Sequence, residues 1–147
     1  MFIGIDPGKS GAMAAISRDG SVVFDFEDPQ GIAFLRLNRH EVALAALEKV
    51  SAMPKQGVAS SFNFGANFGI WQGRLEALAI PFVFVTPQKW QKTVFDSARK
   101  GDRKAMSLDL ARRLFPAMAE ELKRKKDDGR ADALLIAEYA RRLGSDG

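Results

Sequence analysis

The chain has 147 residues, 46% of them hydrophobic, which predicts one domain over residues 1–147 with a sizeable core and excludes a disordered composition. It has no cysteine and one histidine, His40, which excludes disulfides, thiolate metal sites and a histidine-rich zinc centre. Net charge is +4, and the excess is local: residues 86–130 hold 13 basic and 7 acidic residues, the remainder 9 and 11. A basic second half predicts a polyanionic partner such as nucleic acid, against the alternative of an ordinary solvated helix surface. No apolar run reaches membrane-spanning length, and the first residues read as a strand and not as a signal peptide. The expectation is a soluble intracellular protein of the cytoplasm with no membrane partner.

In chain order, residues 2–6 form an apolar run ending in Asp6. Pro7 cannot donate to a ladder, so the strand ends there. Gly8 and Gly11 allow a tight turn into a second strand, residues 12–17. Arg18-Asp19-Gly20 is a hairpin turn, and residues 21–27 become alternating, as suits an edge strand with one wet face. An antiparallel three-stranded meander therefore opens the fold. Residues 31–38 read as a short helix. Residues 42–50 are ambiguous: Ala and Leu favour helix, whereas their place after the meander suits a central strand. Residues 51–64, rich in Ser, Gly and Asn, read as a loop carrying Phe62 and Phe64. A helix over about 66–79 is predicted from Phe68, Trp71, Leu75 and Leu78 at helical spacing. Residues 81–85 are a strand. Thr86 then caps a short helix that begins with Pro87 and runs through Trp90 to Val94. Asp102 caps a helix to Phe115, stopped by Pro116. Asp127-Asp128-Gly129 introduces a last helix, about 130–143.

Four acids stand out. Asp6 closes an apolar strand beside a glycine turn, where a phosphate or a metal ion could approach closely, although Asp-Pro-Gly is also an ordinary turn opening. Glu48 sits in an apolar run, where an acid must be paired, metal-bound or at the surface. Asp128 and Asp132, four apart, share one helix face. Asp132 leads the very apolar Ala133–Ala137 stretch and lies beyond the capping position that Asp127 or Asp128 would take. An all-oxygen set suits Mg²⁺ or Mn²⁺.

Strand-Asp-x-Gly-turn-strand openings belong both to ribonuclease H-like nucleases and to actin-like ATPases, and the latter need a second domain. The segments Ile3-Gly4-Ile5-Asp6-Pro7-Gly8, Leu47-Glu48-Lys49-Val50, Phe68-Gly69-Ile70-Trp71-Gln72-Gly73, Val85-Thr86-Pro87-Gln88-Lys89-Trp90 and Asp127-Asp128-Gly129-Arg130-Ala131-Asp132 extend the comparison. Over nearly the whole chain their order resembles the RuvC-like Holliday junction resolvases, especially the phage-encoded and chloroplast-type members. The resemblance implies an α/β ribonuclease H-like fold, a five-stranded mixed sheet flanked by helices, and makes residues 42–50 a strand. Matched by motif, Asp6, Glu48 and Asp132 are catalytic, metal-ligating acids. The bacterial spacing would put the third acid at Gly129. The chloroplast-type spacing puts it at Asp128, the choice adopted here, with Asp127 as the alternative.

The resemblance further implies a metal-dependent, structure-selective DNA endonuclease that resolves four-way junctions by symmetric paired nicks leaving 5′-phosphates. Two Mg²⁺ or Mn²⁺ ions, ~3.5–4 Å apart in such sites, would stabilise the attacking and leaving oxygens, with Asp6 bridging. Phosphate contacts are expected from Lys89, Lys92, Lys100, Arg103, Lys104, Lys123, Lys125 and Lys126. Phe62 and Phe64 would wedge or stack at the junction, or else anchor their loop in the core. Symmetric cutting implies a homodimer. His40 is placed far from Glu48 if the intervening residues are extended. Rival readings are a flap or RNA–DNA hybrid nuclease with the same acids, and a non-catalytic junction-binding module needing neither Glu48 nor Asp132.

Overall fold

The structure is a computed structural model and describes residues 1–51, 55–95 and 101–145. Five strands form one mixed sheet: β1 (Phe2–Asp6), β2 (Ala12–Ser17), β3 (Gly20–Asp25), β4 (Leu44–Glu48) and β5 (Phe82–Val85), in the spatial order β3-β2-β1-β4-β5. β1, β2 and β3 form the antiparallel meander, with Phe2 opposite Ile16 and Met13 opposite Phe24. β4 joins β1 in parallel with Ile5 opposite Leu47, and β5 joins β4 in parallel. The alanine-rich segment is thus a strand despite its local helix propensity, because it is buried between β1 and β5 with Ala45, Ala46 and Leu47 fully covered.

The helices are α1 (Pro29–Asn38), α2 (Val58–Ala77), α3 (Pro87–Val94), α4 (Arg103–Leu114) and α5 (Asp128–Ser145). The period-two alternation of the strands divides the core. Ile3, Ile5, Met13, Ala15 and Leu47 pack with Leu35, Trp71 and Leu75 of α1 and α2. On the other face Ala12, Ala14 and Ala46 meet α5, with α3 and α4 completing that layer. The positions facing α5 are small for a reason. A Cβ on Gly4 would fall inside the backbone of Ala133 and Ala137, so β1 and α5 touch main chain to main chain. No helix among the described residues is long and apolar enough to cross a membrane.

Most boundaries move by a residue or two from the sequence reading, and three of the differences have a clear local cause or consequence. β3 ends at Asp25 because Asp28 already caps α1, accepting from the Gln30 N–H at 2.9 Å. α5 begins at Asp128, two residues early. The largest change is α2, which starts at Val58, so Phe62 and Phe64 are helical and not in a loop. Ser60, Ser61, Asn63 and Gly65 are weak helix formers, but Phe68, Trp71 and Leu75 anchor the helix in the core. Adding turns to a nucleated helix costs little.

Candidate active site

The parallel pairing of β1 with β4 brings Asp6 and Glu48 out side by side at the C-terminal edge of the sheet. This is where open α/β sheets place their ligand crevices. Asp6 is held by the turn that follows it: its Oδ1 accepts the Gly8 N–H at 2.9 Å, and the Gly11 N–H bonds the Gly8 carbonyl at 2.9 Å. A Cβ on Gly11 would run into the Asp6 carbonyl, so the turn closes only on glycine. Burial pushes the Asp6 carboxyl up, the Gly8 N–H opposes this, and the neighbouring charge of Asp128 adds to it.

Glu48 is only 8% exposed. Burial first, then the charge of Asp6, push its carboxyl up to about 7, against the indole N–H of Trp90. Trp90 Nε1 donates to Glu48 Oε2 at 2.5 Å. Local sequence puts the indole there: Thr86 caps α3 by accepting the Lys89 N–H, Pro87 fixes the first turn, and Trp90 comes round over the end of β4. Trp90→Phe should keep the packing and remove the donor. The metal-free protein then loses about 1–2 kcal/mol at pH 8, where Glu48 must be charged. At pH 5 the loss is smaller, and thermal melts at the two pH values check the difference.

The remaining acids come from the start of α5. Asp127 is buried, but it serves its own turn: Oδ2 accepts the Arg124 N–H at 2.9 Å and Oδ1 the Arg124 guanidinium at 2.9 Å. Burial alone would raise its carboxyl, but the Arg124 hydrogen bonds outweigh burial and hold it below the usual carboxylate range. Asp128, one residue on, instead acts electrostatically on Asp6 and Asp132 and pairs with Lys104 Nζ at 3.7 Å. Between them Gly129 packs on the Ser10 carbonyl so closely that no Cβ fits. An acid three residues before Asp132 therefore has no room in this chain. Arg130 fixes the entry of α5 by a bidentate bridge to Asp25 of β3, 2.8 Å on each arm.

Asp132 follows one turn further along α5. Its carboxyl is pushed up to about 8, by burial first and then by Asp6, with Glu48 and Asp128 adding smaller repulsions. The Ser107 hydroxyl, reaching in from α4, favours the charged form. Nevertheless neither Asp132 Oδ1 nor Ser107 Oγ, both buried, completes a hydrogen bond. The two groups are neighbours on packed helices, and the bond between them stands open. Asp6, Glu48, Asp128 and Asp132 thus form one coupled acidic neighbourhood, although among the described residues no three acids or histidines close into a finished cation cage. Buried, mutually repelling carboxylates with no sulfur or imidazole donor among them fit a hard divalent cation.

The predicted cations differ in exposure and in partners. Lys89 and Lys92 are exposed on α3, Lys125 and Lys126 are exposed just before α5, and Lys104 is exposed beside Asp128. Arg103 lies over the Phe95 ring at 5.1 Å, and Lys123 pairs with Glu120 at 3.3 Å. Lys100 lies outside the described residues. Phe62 is 73% exposed on α2, whereas Phe64 is half-buried. His40 sits in the 3-10 turn Arg39–Glu41 that precedes β4, where it accepts from Arg39 Nε at 3.2 Å. Trp90 and Ser107 contact the acids without having been singled out by sequence. Trp90 at least lay in the Val85–Trp90 motif, whereas nothing local marks Ser107.

No protein-family model matches the chain. Over 88 residues, 60% of the chain, it is 35% identical to the chloroplastic Holliday junction resolvase MOC1 of Chlamydomonas reinhardtii, and the match spans only 10% of that protein's length. Among solved structures, Thermus thermophilus RuvC in complex with a Holliday junction substrate superimposes with a TM-score of 0.58 at 16% identity, covering 97% of this chain and 95% of that one. Another T. thermophilus RuvC structure gives 0.57 at 18% identity, covering 96% and 95%. The fold is the RuvC type of the ribonuclease H-like class, and the likeness to RuvC-like resolvases expected from the motifs recurs in both sequence and fold.

Proposed function

We propose that this RuvC-like domain is a divalent-metal-dependent endonuclease that resolves four-way DNA junctions by paired, symmetric nicks leaving 5′-phosphates. The observation that carries the reading is the set of four mutually repelling acids at one sheet edge, drawn from β1, β4 and α5, with the exposed Lys104 beside Asp128. The similarity to a Holliday junction resolvase supports the choice of substrate. Asp6, Glu48, Asp128 and Asp132 would hold two Mg²⁺ or Mn²⁺ ions. Such ions, when bound, activate water at neutral pH and stabilise charge on the attacking and leaving oxygens.

The residues of the chain supply the rest. The Gly8 N–H orients Asp6, and the Trp90 indole orients Glu48. Lys104 is paired to Asp128 yet 76% exposed, so its ammonium is free to swing onto a phosphate oxygen. Lys89, Lys92, Arg103, Lys125 and Lys126 bind flanking phosphates, which position the strand without reading its sequence. Phe62, projecting from α2, offers a stacking face where bases unpair at a crossover. Two copies acting as a homodimer would present two such sites to the two strands.

The test is cleavage of an immobile four-way junction in Mg²⁺ or Mn²⁺, beside duplex, flap and RNA–DNA hybrid controls. Paired nicks confined to the junction are the expected result. Equal cutting of the flap or hybrid would move the function to another ribonuclease H-like nuclease. Tight junction binding without cutting in either metal would leave a binding module.

A further inference from the structure

Ser107 occupies a position where packing alone asks for alanine. It lies inside the second turn of α4, fully buried, with Leu108 and Ala111 of the same helix packed into the core beneath α5. A serine inside a helix ordinarily turns to solvent or bonds a carbonyl one turn back. Ser107 does neither, and its Oγ has no hydrogen-bond partner. A buried hydroxyl left unpaired is costly. Among the described residues three buried side-chain atoms are unpartnered: Trp71 Nε1, Ser107 Oγ and Asp132 Oδ1. Trp71 belongs to the core layer on the opposite face of the sheet. The other two are a donor and an acceptor on packed helices, within electrostatic reach of each other.

We infer that Ser107 is the positioning residue of Asp132: its hydroxyl donates to Asp132 Oδ1, fixes the carboxylate plane, and leaves the other oxygen to face a divalent cation. The bond satisfies two buried orphans at once. A donor to a charged carboxylate is stronger than a neutral pair, and a partner held behind a ligand sets its orientation. Every acid of the neighbourhood then has its own partner: the Gly8 N–H for Asp6, the Trp90 indole for Glu48, the Lys104 ammonium as an ion pair for Asp128, and the Ser107 hydroxyl for Asp132. Two of these four come from α4, the helix whose first turn also carries the exposed Arg103. The inference rests on the metal-site reading above and adds a residue to it.

Direct Mn²⁺ binding to the full chain, read at pH 8 from the free-Mn²⁺ EPR signal with no DNA present, tests it. Ser107→Ala should bind Mn²⁺ about tenfold more weakly or worse with its circular dichroism unchanged. Ser107→Thr keeps the hydroxyl and should stay within about threefold of wild type. Ser107→Cys has similar volume and a weaker donor; it should also lose affinity, and it carries the comparison if the alanine variant does not fold. Equal Mn²⁺ affinity in wild type and in the alanine or cysteine variant overturns the inference and leaves the metal site standing. Absence of Mn²⁺ binding in wild type, or undiminished binding in Asp132→Asn, overturns both.

Discussion

Asp6→Asn should abolish junction cleavage by about a thousandfold or more while junction binding stays close to wild type. The substitution is nearly isosteric, and the amide oxygen can still accept the Gly8 N–H, so the turn that holds the residue survives. What disappears is the charge shared with Glu48, Asp128 and Asp132. Metal-borne stabilisation of a phosphodiester transition state amounts to several kcal/mol, and each 1.36 kcal/mol is a factor of ten in rate, which sets the scale. The substitution leaves the proposed phosphate-binding cations of α3, α4 and the Lys125–Lys126 turn untouched, so affinity should persist. A gel assay for nicking and a filter or anisotropy assay for binding separate the two. Cleavage within tenfold of wild type would remove Asp6 from the chemistry. The same variant should melt higher than wild type at pH 8 in EDTA, because Asp6 is the charge that repels both Glu48 and Asp132.

The second large effect is on stability against pH in the absence of metal. Glu48 is pushed up to about 7 and Asp132 to about 8, and Asp6 is also raised. An acid whose carboxyl titrates higher folded than unfolded binds more protons when folded. Its stabilisation is complete below the unfolded value near 4 and is lost as pH rises through the folded value. The metal-free protein should therefore be most stable near pH 5 and weaken steadily to pH 8. Asp25, Asp127 and Glu138 are shifted downward, so their contribution is lost only on acidification below pH 4 and does not disturb this window. The shift of Glu48 taken alone corresponds to roughly 3 kcal/mol. Asp132 shares the same repulsions, so the two do not simply add. Calorimetry in EDTA at pH 5, 6, 7 and 8 measures the slope. Glu48→Gln should flatten it and raise the melting temperature at pH 8, and Mn²⁺ should rescue wild type at pH 8 far more than at pH 5. A melting temperature independent of pH would show that these carboxyls are not held as described.

The pattern of expected and unexpected features has physical causes. The meander was legible because an apolar run, a glycine turn and an Asp-Gly hairpin are local signals. The segment around Ala45 and Ala46 carries no such local signal, since its residues favour helix; the order of the motifs made it a strand, and burial between β1 and β5 is the physical reason. The first turns of α2 were hidden by Ser60, Ser61 and Asn63, which say loop by composition. Their helicity derives from Trp71 and Leu75 further along. Adjacent acids such as Asp127 and Asp128 look alike in sequence, and what separates them is a contact with Arg124 on one side and proximity to Asp6 on the other. Trp90 and Ser107 reach the acids from α3 and α4, and the α4 contact in particular leaves no trace in the spacing of residues along the chain.

The close contact of β1 with α5 has a consequence for how such a protein can change over time. Asp6 is carried by β1, and Asp128 and Asp132 by α5; Gly4 and Gly129 are the places where α5 meets the β1 strand and the turn after it with no side chain between them. The spacing of these three acids is therefore set by backbone thickness, which does not mutate. Leucines, isoleucines and aromatics elsewhere in the core can be exchanged over generations without retuning the distance between the acids. A lineage of this architecture can drift to the 16% and 18% identity seen against RuvC and keep its fold. Its least replaceable positions include two that contribute no side chain at all.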